Sequence, residues 1–208
     1  MDRASEAWHS GGMLWLVRHG ETEANATRVV QRPEAALSPR GRAQAACVAR
    51  RLADTAVRLV LASDLRRAVE TAEAIAGTLG VPLELDPGLR ERDFGEIRGM
   101  AYAALAEDIF APGYAPPGGE TWEAFYARVD AVWARTLARA TASDGDVVVV
   151  THGLVVGAVL RRHCDPLPGV EIPIACPNAA MSLIVPPRTI ALLACTAHLT
   201  ASAEGAPA

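Results

Sequence analysis

Met13-Leu14-Trp15-Leu16-Val17 runs straight into Arg18-His19-Gly20, so a strand-sized apolar stretch ends abruptly in two basic side chains and a glycine. The same plan returns twice. Leu59-Val60-Leu61-Ala62 leads into Ser63-Asp64-Leu65-Arg66-Arg67, and Val147-Val148-Val149-Val150 leads into Thr151-His152-Gly153. An apolar run without polar alternation, bounded by a turn, reads as a strand covered on both faces, which is the habit of parallel sheets.

Helical patterns separate these runs. Ser38 and Pro39 supply a cap and a first-turn proline for an Ala-rich helix. Ser63 reads as the cap of a helix carrying Leu65, Ala68, Ala72, Ile75 and Leu79, closed by Gly80 and Pro82. A longer helix is predicted from about Glu120 to Ala142, with Trp122, Phe125, Tyr126, Val129, Val132, Trp133 and Leu137 as its apolar stripe. Another follows Gly153 through Val155, Val156, Val159 and Leu160. Alternation of strand and helix predicts a three-layer α/β/α sandwich around a mostly parallel sheet. Met181 to Val185 and Ile190 to Cys195, joined by Pro186-Pro187-Arg188-Thr189, predict a hairpin that makes the sheet mixed.

The chain has 208 residues, half of them apolar and about a fifth charged, which excludes disorder and suits one domain. That domain is expected over residues 13–200, with flexible tails at 1–12 and 201–208. Residues 100–119, rich in Ala, Pro and Gly, are expected to form a cover over a site. A net charge of −4 disfavours a nucleic-acid partner. No apolar run is long enough for a signal peptide or a membrane span, so a soluble, cytoplasmic protein is expected, with no membrane partner. A homodimer is left open. The four cysteines, Cys47, Cys164, Cys176 and Cys195, lack metal-site spacing and read as buried thiols. There is no Lys, and all 20 cations besides His are Arg. A bias of that kind makes counting arginines uninformative, so position must decide.

In a parallel sheet the carboxyl ends of the strands share one edge, where ligands bind. Arg18, His19, His152 and one of Arg66 and Arg67 therefore meet at one place. Such a cationic cluster calls for an anion, and phosphate suits the arginine fork. A neutral imidazole whose second nitrogen is fixed by a hydrogen bond can attack phosphorus, and the neighbouring cations keep it neutral. The departing oxygen needs a proton, and Leu89-Arg90-Glu91-Arg92-Asp93-Phe94-Gly95 offers both Glu91 and Asp93.

Taken together, these segments resemble the histidine phosphatase superfamily in its phosphoglycerate-mutase-like branch, branch 1. Arg18-His19-Gly20-Glu21-Thr22 with Asn25 resembles its signature, and Leu37-Ser38-Pro39-Arg40-Gly41 resembles its first helix start. Ser63-Asp64-Leu65-Arg66-Arg67-Ala68 with Thr71-Ala72 resembles its second arginine motif and selects Arg67. Leu89-Arg90-Glu91 with Phe94-Gly95-Glu96 and Gly99 resembles its acid motif and selects Glu91. Gly118-Gly119-Glu120-Thr121 and Val150-Thr151-His152-Gly153 follow in order, with Pro177-Asn178-Ala179 and His198-Leu199 as weaker echoes.

The resemblance implies a phosphohistidine on His19, a phosphate pocket of Arg18, Arg67 and His152, and Glu91 as general acid and then base. It further implies contacts to the substrate, a phosphorylated small molecule, from Asn25, Gln31, Arg92 and Gly153, with no metal and no organic cofactor. One stretch departs from the family pattern: Gln31-Arg32-Pro33 stands where relatives carry Gln-Gly, an Asp and a Pro, and it is about a residue shorter. A phosphoglycerate-type mutase is the alternative activity. It is disfavoured because no cation lies between Tyr102 and Ala127, although Arg90-Glu91-Arg92 resembles the mutase pattern. A non-catalytic phospholigand-binding protein is a third reading, disfavoured by having both nucleophile and acid.

Overall fold

The computed structural model describes residues 12–200; the expected tails at 1–12 and 201–208 lie outside the described residues apart from Gly12. Six strands form one sheet in the order β3-β2-β4-β1-β5-β6. β1 (Leu14–Arg18) lies between β4 (Asp146–Thr151), to which it runs parallel, and β5 (Met181–Val185), to which it runs antiparallel. β2 (Val57–Ala62) pairs in parallel with both β4 and the short β3 (Leu83–Leu85). β6 (Thr189–Cys195) closes the hairpin with β5. The sheet is therefore parallel over four strands and mixed at the hairpin, as the residue pattern indicates.

Side chains of β1 and β4 alternate between two cores, which explains why neither strand alternates with polar residues. Leu14, Leu16, Val147 and Val149 pack on one face with α4 (Trp122–Thr141) and α5 (Gly153–His163). Trp15, Val17, Val148 and Val150 pack on the other with α2 (Pro39–Leu52) and α3 (Arg66–Leu79). A short α1 (Glu23–Ala26) follows the loop after β1, and α6 (Ala197–Thr200) ends the described chain.

The starts of α2 and α4 follow the capping chemistry, and the start of α3 does not. Ser38 accepts from the Gly41 amide at the head of α2, and Thr121 accepts from Ala124 at the head of α4. α3 starts later than the expected Ser63 cap: Leu65 occupies the cap position, without a side-chain hydrogen bond to the helix. Its far end is closed by Gly80 in the left-handed region at φ 66°, where a side chain is strained. α4 buries Trp122, Phe125, Val129, Val132 and Trp133 from the predicted stripe, and Tyr126 and Leu137 are partly covered.

Residues 100–119 carry only a 3-10 turn at Tyr102–Ala104, yet main-chain bonds hold their two ends. Val30 and Tyr102 amides donate to the Met100 and Arg28 carbonyls, and the Glu96 amide donates to Pro117. Cys47, Cys164 and Cys176 are buried and outside any disulfide among the described residues, whereas Cys195 is only partly covered. No helix among the described residues is long and apolar enough to cross a membrane.

Candidate active site

β2, β4 and β1 are neighbours, so their carboxyl ends bring Ser63, His152 and His19 side by side. The His19 amide donates to the Thr151 carbonyl at 2.9 Å, and the Ser63 amide donates to Val150 at 3.0 Å. The rings of His19 and His152 lie 5.1 Å apart between centroids, and both are buried.

The tautomer of His19 follows from its partners. Nδ1 lies 2.6 Å from the Gly20 carbonyl, which only accepts, so Nδ1 carries the proton. Nε2 is left with its lone pair and accepts a long bond from Arg67 Nε at 3.3 Å. Burial, then the Arg67 and Arg18 guanidiniums, push the His19 pKa well below its ordinary value, outweighing the Gly20 bond. The ring is thus neutral at pH 7, with one nitrogen free to attack.

His152 is neutral for the same physical reasons: burial first, then Arg67. Its Nε2 lies 2.8 Å from Ser63 Oγ, which already accepts from the Leu65 amide at 3.3 Å. With the hydroxyl as donor to Nε2, the ring proton sits on Nδ1. That Nδ1–H and the Arg18 Nε–H are the two buried side-chain groups without a partner among the described residues. A buried polar group left unpaired costs about 1–3 kcal/mol. Arg18 precedes His19 in the chain and the His152 ring lies 5.1 Å from the His19 ring, and an anion with several acceptor oxygens would satisfy both donors.

Arg67 is buried on α3, and that burial pushes its pKa down to about 10, so it remains a cation at neutral pH. Arg18, at the end of β1, donates to the Cys176 carbonyl. A cavity of about 230 Å3 opens over this floor, lined by Arg18, Arg67, Asn25, Gln31, Glu91 and Gly153, with Tyr102 and Phe110 on its far wall. The size falls just below the roughly 300–1,000 Å3 usual for small-ligand pockets, which fits a small molecule rather than a polymer.

Glu91 faces the cavity from the opposite side to the histidines' strands. Its two oxygens accept from the Leu154 amide at 3.1 Å and the Arg92 amide at 3.0 Å. Burial raises its pKa, while those amides and the Arg18 and Arg67 charges pull it partly back. A carboxyl that holds its proton above the ordinary range suits general-acid work. Asp93, the other carboxyl in the stretch, pairs with Arg98 instead.

The remaining sequence-predicted residues divide. Asn25 Oδ1 accepts from Asn178 Nδ2 at 3.1 Å, and Gln31 Oε1 accepts from the Thr22 hydroxyl at 2.9 Å, so both amides are oriented at the rim. Gly153 opens α5, and a Cβ there would come within 3.1 Å of Ala175 and 3.4 Å of the Arg18 guanidinium. Arg92 also lines the cavity, but its guanidinium is engaged by the Glu120 and Ile109 carbonyls at 3.0 and 3.2 Å and by the Tyr114 carbonyl, and it stacks 3.9 Å over Trp122. The unusual Arg32 supplies the carbonyl that accepts from Arg67 Nη1 at 3.2 Å. Arg66 is exposed and pairs with Glu70.

Three further residues, Ser63, Thr71 and Asn178, make site contacts that their motifs do not announce. Ser63 was read as a helix cap, and its hydroxyl is instead the partner of His152. Thr71 accepts from the Gly20 amide at 3.1 Å and donates to the Arg67 carbonyl at 2.8 Å, tying the His19 loop to α3. Asn178 donates to the His19 carbonyl at 3.2 Å, and its only sequence signal is the echo Pro177-Asn178-Ala179. Among the described residues no cluster of three or more His, Cys, Asp or Glu has metal-holding geometry.

A doubly covered sheet with two histidines and two arginines at its carboxyl edge is a phosphoryl-group site by its chemistry. The chain belongs to the histidine phosphatase superfamily, branch 1, whose family profile matches residues 14–189. It is 36% identical over 168 residues to a glucosyl-3-phosphoglycerate phosphatase of Mycolicibacterium vanbaalenii, covering 70% of this chain and 71% of that one. It is 34% identical over 165 residues to phosphoglycerate mutase-like protein 4 of Arabidopsis thaliana, covering 71% and 69%. Among solved structures, a mycobacterial glucosyl-3-phosphoglycerate phosphatase in complex with VO3 superposes with a TM-score of 0.69 at 28% identity, covering 83% of this chain and 90% of that one.

Proposed function

We propose that this chain hydrolyses a phosphomonoester of a small metabolite, with His19 as nucleophile and Glu91 as general acid and then base. The observation that carries the proposal is the state of His19: Nδ1–H bound to Gly20, Nε2 unprotonated with only a long bond from Arg67, and unpartnered donors of Arg18 and His152 beside it.

Nε2 attacks phosphorus while the ester P–O bond breaks, and Glu91 gives its proton to the departing oxygen. The imidazolium that forms keeps its Nδ1–H on the Gly20 carbonyl. Arg18, Arg67 and the His152 Nδ1–H take the equatorial oxygens, where transition-state charge gathers. In the second step the Glu91 carboxylate takes a proton from water, the water oxygen attacks phosphorus, and the P–Nε2 bond breaks. Phosphate leaves, and both residues return to their starting protonation. Asn25 and Gln31 orient the substrate at the rim, and Arg92 acts by holding the chain that walls the cavity.

Hydrolysis of a phosphorylated metabolite is supported by the relatives named for it and by the cavity's size. The mutase reading has a mutase-like relative in its favour but no cation between Tyr102 and Ala127 to hold a second charged group. The test is trapping with a labelled aryl phosphate, quenched in alkaline detergent. Wild type should yield an acid-labile, base-stable phosphoenzyme, and His19→Ala should yield none and lose at least about 1,000-fold in kcat. Full turnover by His19→Ala would sink the mechanism. Conversion of 3-phosphoglycerate to 2-phosphoglycerate without free phosphate would favour the mutase.

A further inference from the structure

The chain that carries Glu91 has no regular structure of its own. It runs from the 3-10 turn at Pro87–Leu89 to the next at Gly95–Ile97. One side faces the active-site cavity; the other faces an outer groove of about 620 Å3 bordered by Pro87, Gly88, Gly119, Glu120 and Arg128. Buried Leu89 and Phe94 anchor the chain on either side, and the Leu154 and Arg92 amides hold the carboxyl itself, but none of them ties down the main-chain carbonyls in between. Something else must.

That something is on α4. Arg128 Nη1 donates to the Gly88 carbonyl at 2.9 Å and the Arg90 carbonyl at 2.7 Å, and Nη2 reaches the Glu91 carbonyl at 3.4 Å. The same guanidinium is gripped by Glu120 through Nε to Oε1 at 2.9 Å and Nη2 to Oε2 at 2.6 Å. Glu120 in turn brackets the chain just beyond the acid. Its Oε2 accepts from the Asp93 amide at 3.3 Å, its amide donates to the Asp93 carbonyl at 2.8 Å, and its carbonyl accepts from Arg92 Nε at 3.0 Å. The acid thus sits between two fixed points, one on each side in sequence. The pair is mostly covered, with side-chain exposures of 25% and 15%, so it is held more firmly than an ordinary surface ion pair. Only a planar fork with five donors can serve three carbonyls and a carboxylate together.

We propose that Arg128, locked by Glu120, is the positioning residue for the general acid, setting where Glu91 meets the leaving oxygen. The proposal rests on Glu91 being that acid. A displacement of about 1 Å in a reacting group can cost on the order of 100-fold, and the loss falls where protonation of the leaving group is needed.

The test compares kcat/KM for p-nitrophenyl phosphate, whose leaving group needs little protonation, with that for an alkyl phosphate the wild type turns over. kcat/KM reports the first irreversible step and so leaves out the second, water-dependent half. Arg128→Met should lower the alkyl value about 10- to 100-fold and the p-nitrophenyl value about threefold or less. Arg128→Lys should recover part of the loss, because one ammonium can still reach a carbonyl. Glu120→Gln should show the same bias at smaller size, and it decides the question together with Arg128→Lys if Arg128→Met fails to fold. Glu91→Gln is measured alongside. Equal slowing of both esters in the Arg128 and Glu120 variants, while Glu91→Gln discriminates, overturns the proposal and leaves the acid assignment standing. Absence of discrimination in Glu91→Gln overturns that assignment instead.

Discussion

The two walls of the cavity are built in opposite ways. The floor, with His19, His152, Arg18 and Ser63, sits on the ends of strands paired by main-chain hydrogen bonds, and Arg67 sits in the first turn of a helix packed on those strands. The acid wall, with Glu91, Arg92 and Asp93, is irregular chain held by arginine side chains reaching to carbonyls. A floor made by the fold needs no dedicated support for its spacing. A wall made of loop needs clamps, and a clamp can be removed one side chain at a time.

Floor and wall should therefore fail differently. Arg67→Ala removes a buried cation beside His19 Nε2 and should cost about 100- to 1,000-fold in kcat for every ester alike, as loss of one transition-state donor does. Its neighbour Arg66→Ala, whose exposed pair with Glu70 is worth at most about 1 kcal/mol, is the control and should change little.

The pH profile sharpens the contrast. His19 attacks only when neutral, and its lowered pKa pushes the acid limb of kcat/KM to low pH. Glu91 donates only when protonated, and its raised pKa delays the alkaline fall. Above that pKa an alkyl phosphate should lose about tenfold per pH unit, whereas p-nitrophenyl phosphate should lose much less. An alkaline limb equally steep for both esters would place the titration in the floor and break the contrast.

Among the residues of the site, the smallest expected effect is at Ser63. Ser63→Ala strips the partner from a buried imidazole nitrogen, which should cost about 1–3 kcal/mol in thermal or urea unfolding. The accompanying loss of activity should be about tenfold and indifferent to leaving group. A leaving-group bias in Ser63→Ala would mean that His152, not Glu91, governs protonation.

Legibility in the sequence tracks the same division. The strands and their terminal His and Arg residues were readable because continuous Val and Leu runs mark strands with two covered faces, and parallel strands share an edge. Choosing Arg67 over Arg66 and Glu91 over Asp93 took the resemblance to a family. The helix geometry now separates the first pair, with one arginine buried and its neighbour exposed. Ser63 was misread because Ser ahead of a helical pattern is a normal cap signal, and nothing local announces a histidine 89 positions away. Arg128 sits beside Val129 on an amphipathic helix and carries no mark at all; its partners are 38 and 40 positions distant. Composition made 100–119 look loose, but the tie comes from a side chain outside it, Arg92, bonding carbonyls that any sequence would provide.

The neighbouring placement of β1 and β4 has one more consequence. Adjacent strands lie about 4.8 Å apart whatever their side chains, and the two histidine rings, each one residue past a paired position, stand 5.1 Å apart. The gauge of the phosphoryl site is thus the inter-strand repeat itself. Surface substitutions leave that repeat untouched, while the orientation of the two rings still depends on Ser63 and Gly20. Diversification of this scaffold toward new substrates is accordingly channelled to the rim and the acid wall, while the floor stays at a spacing that belongs to every β-sheet.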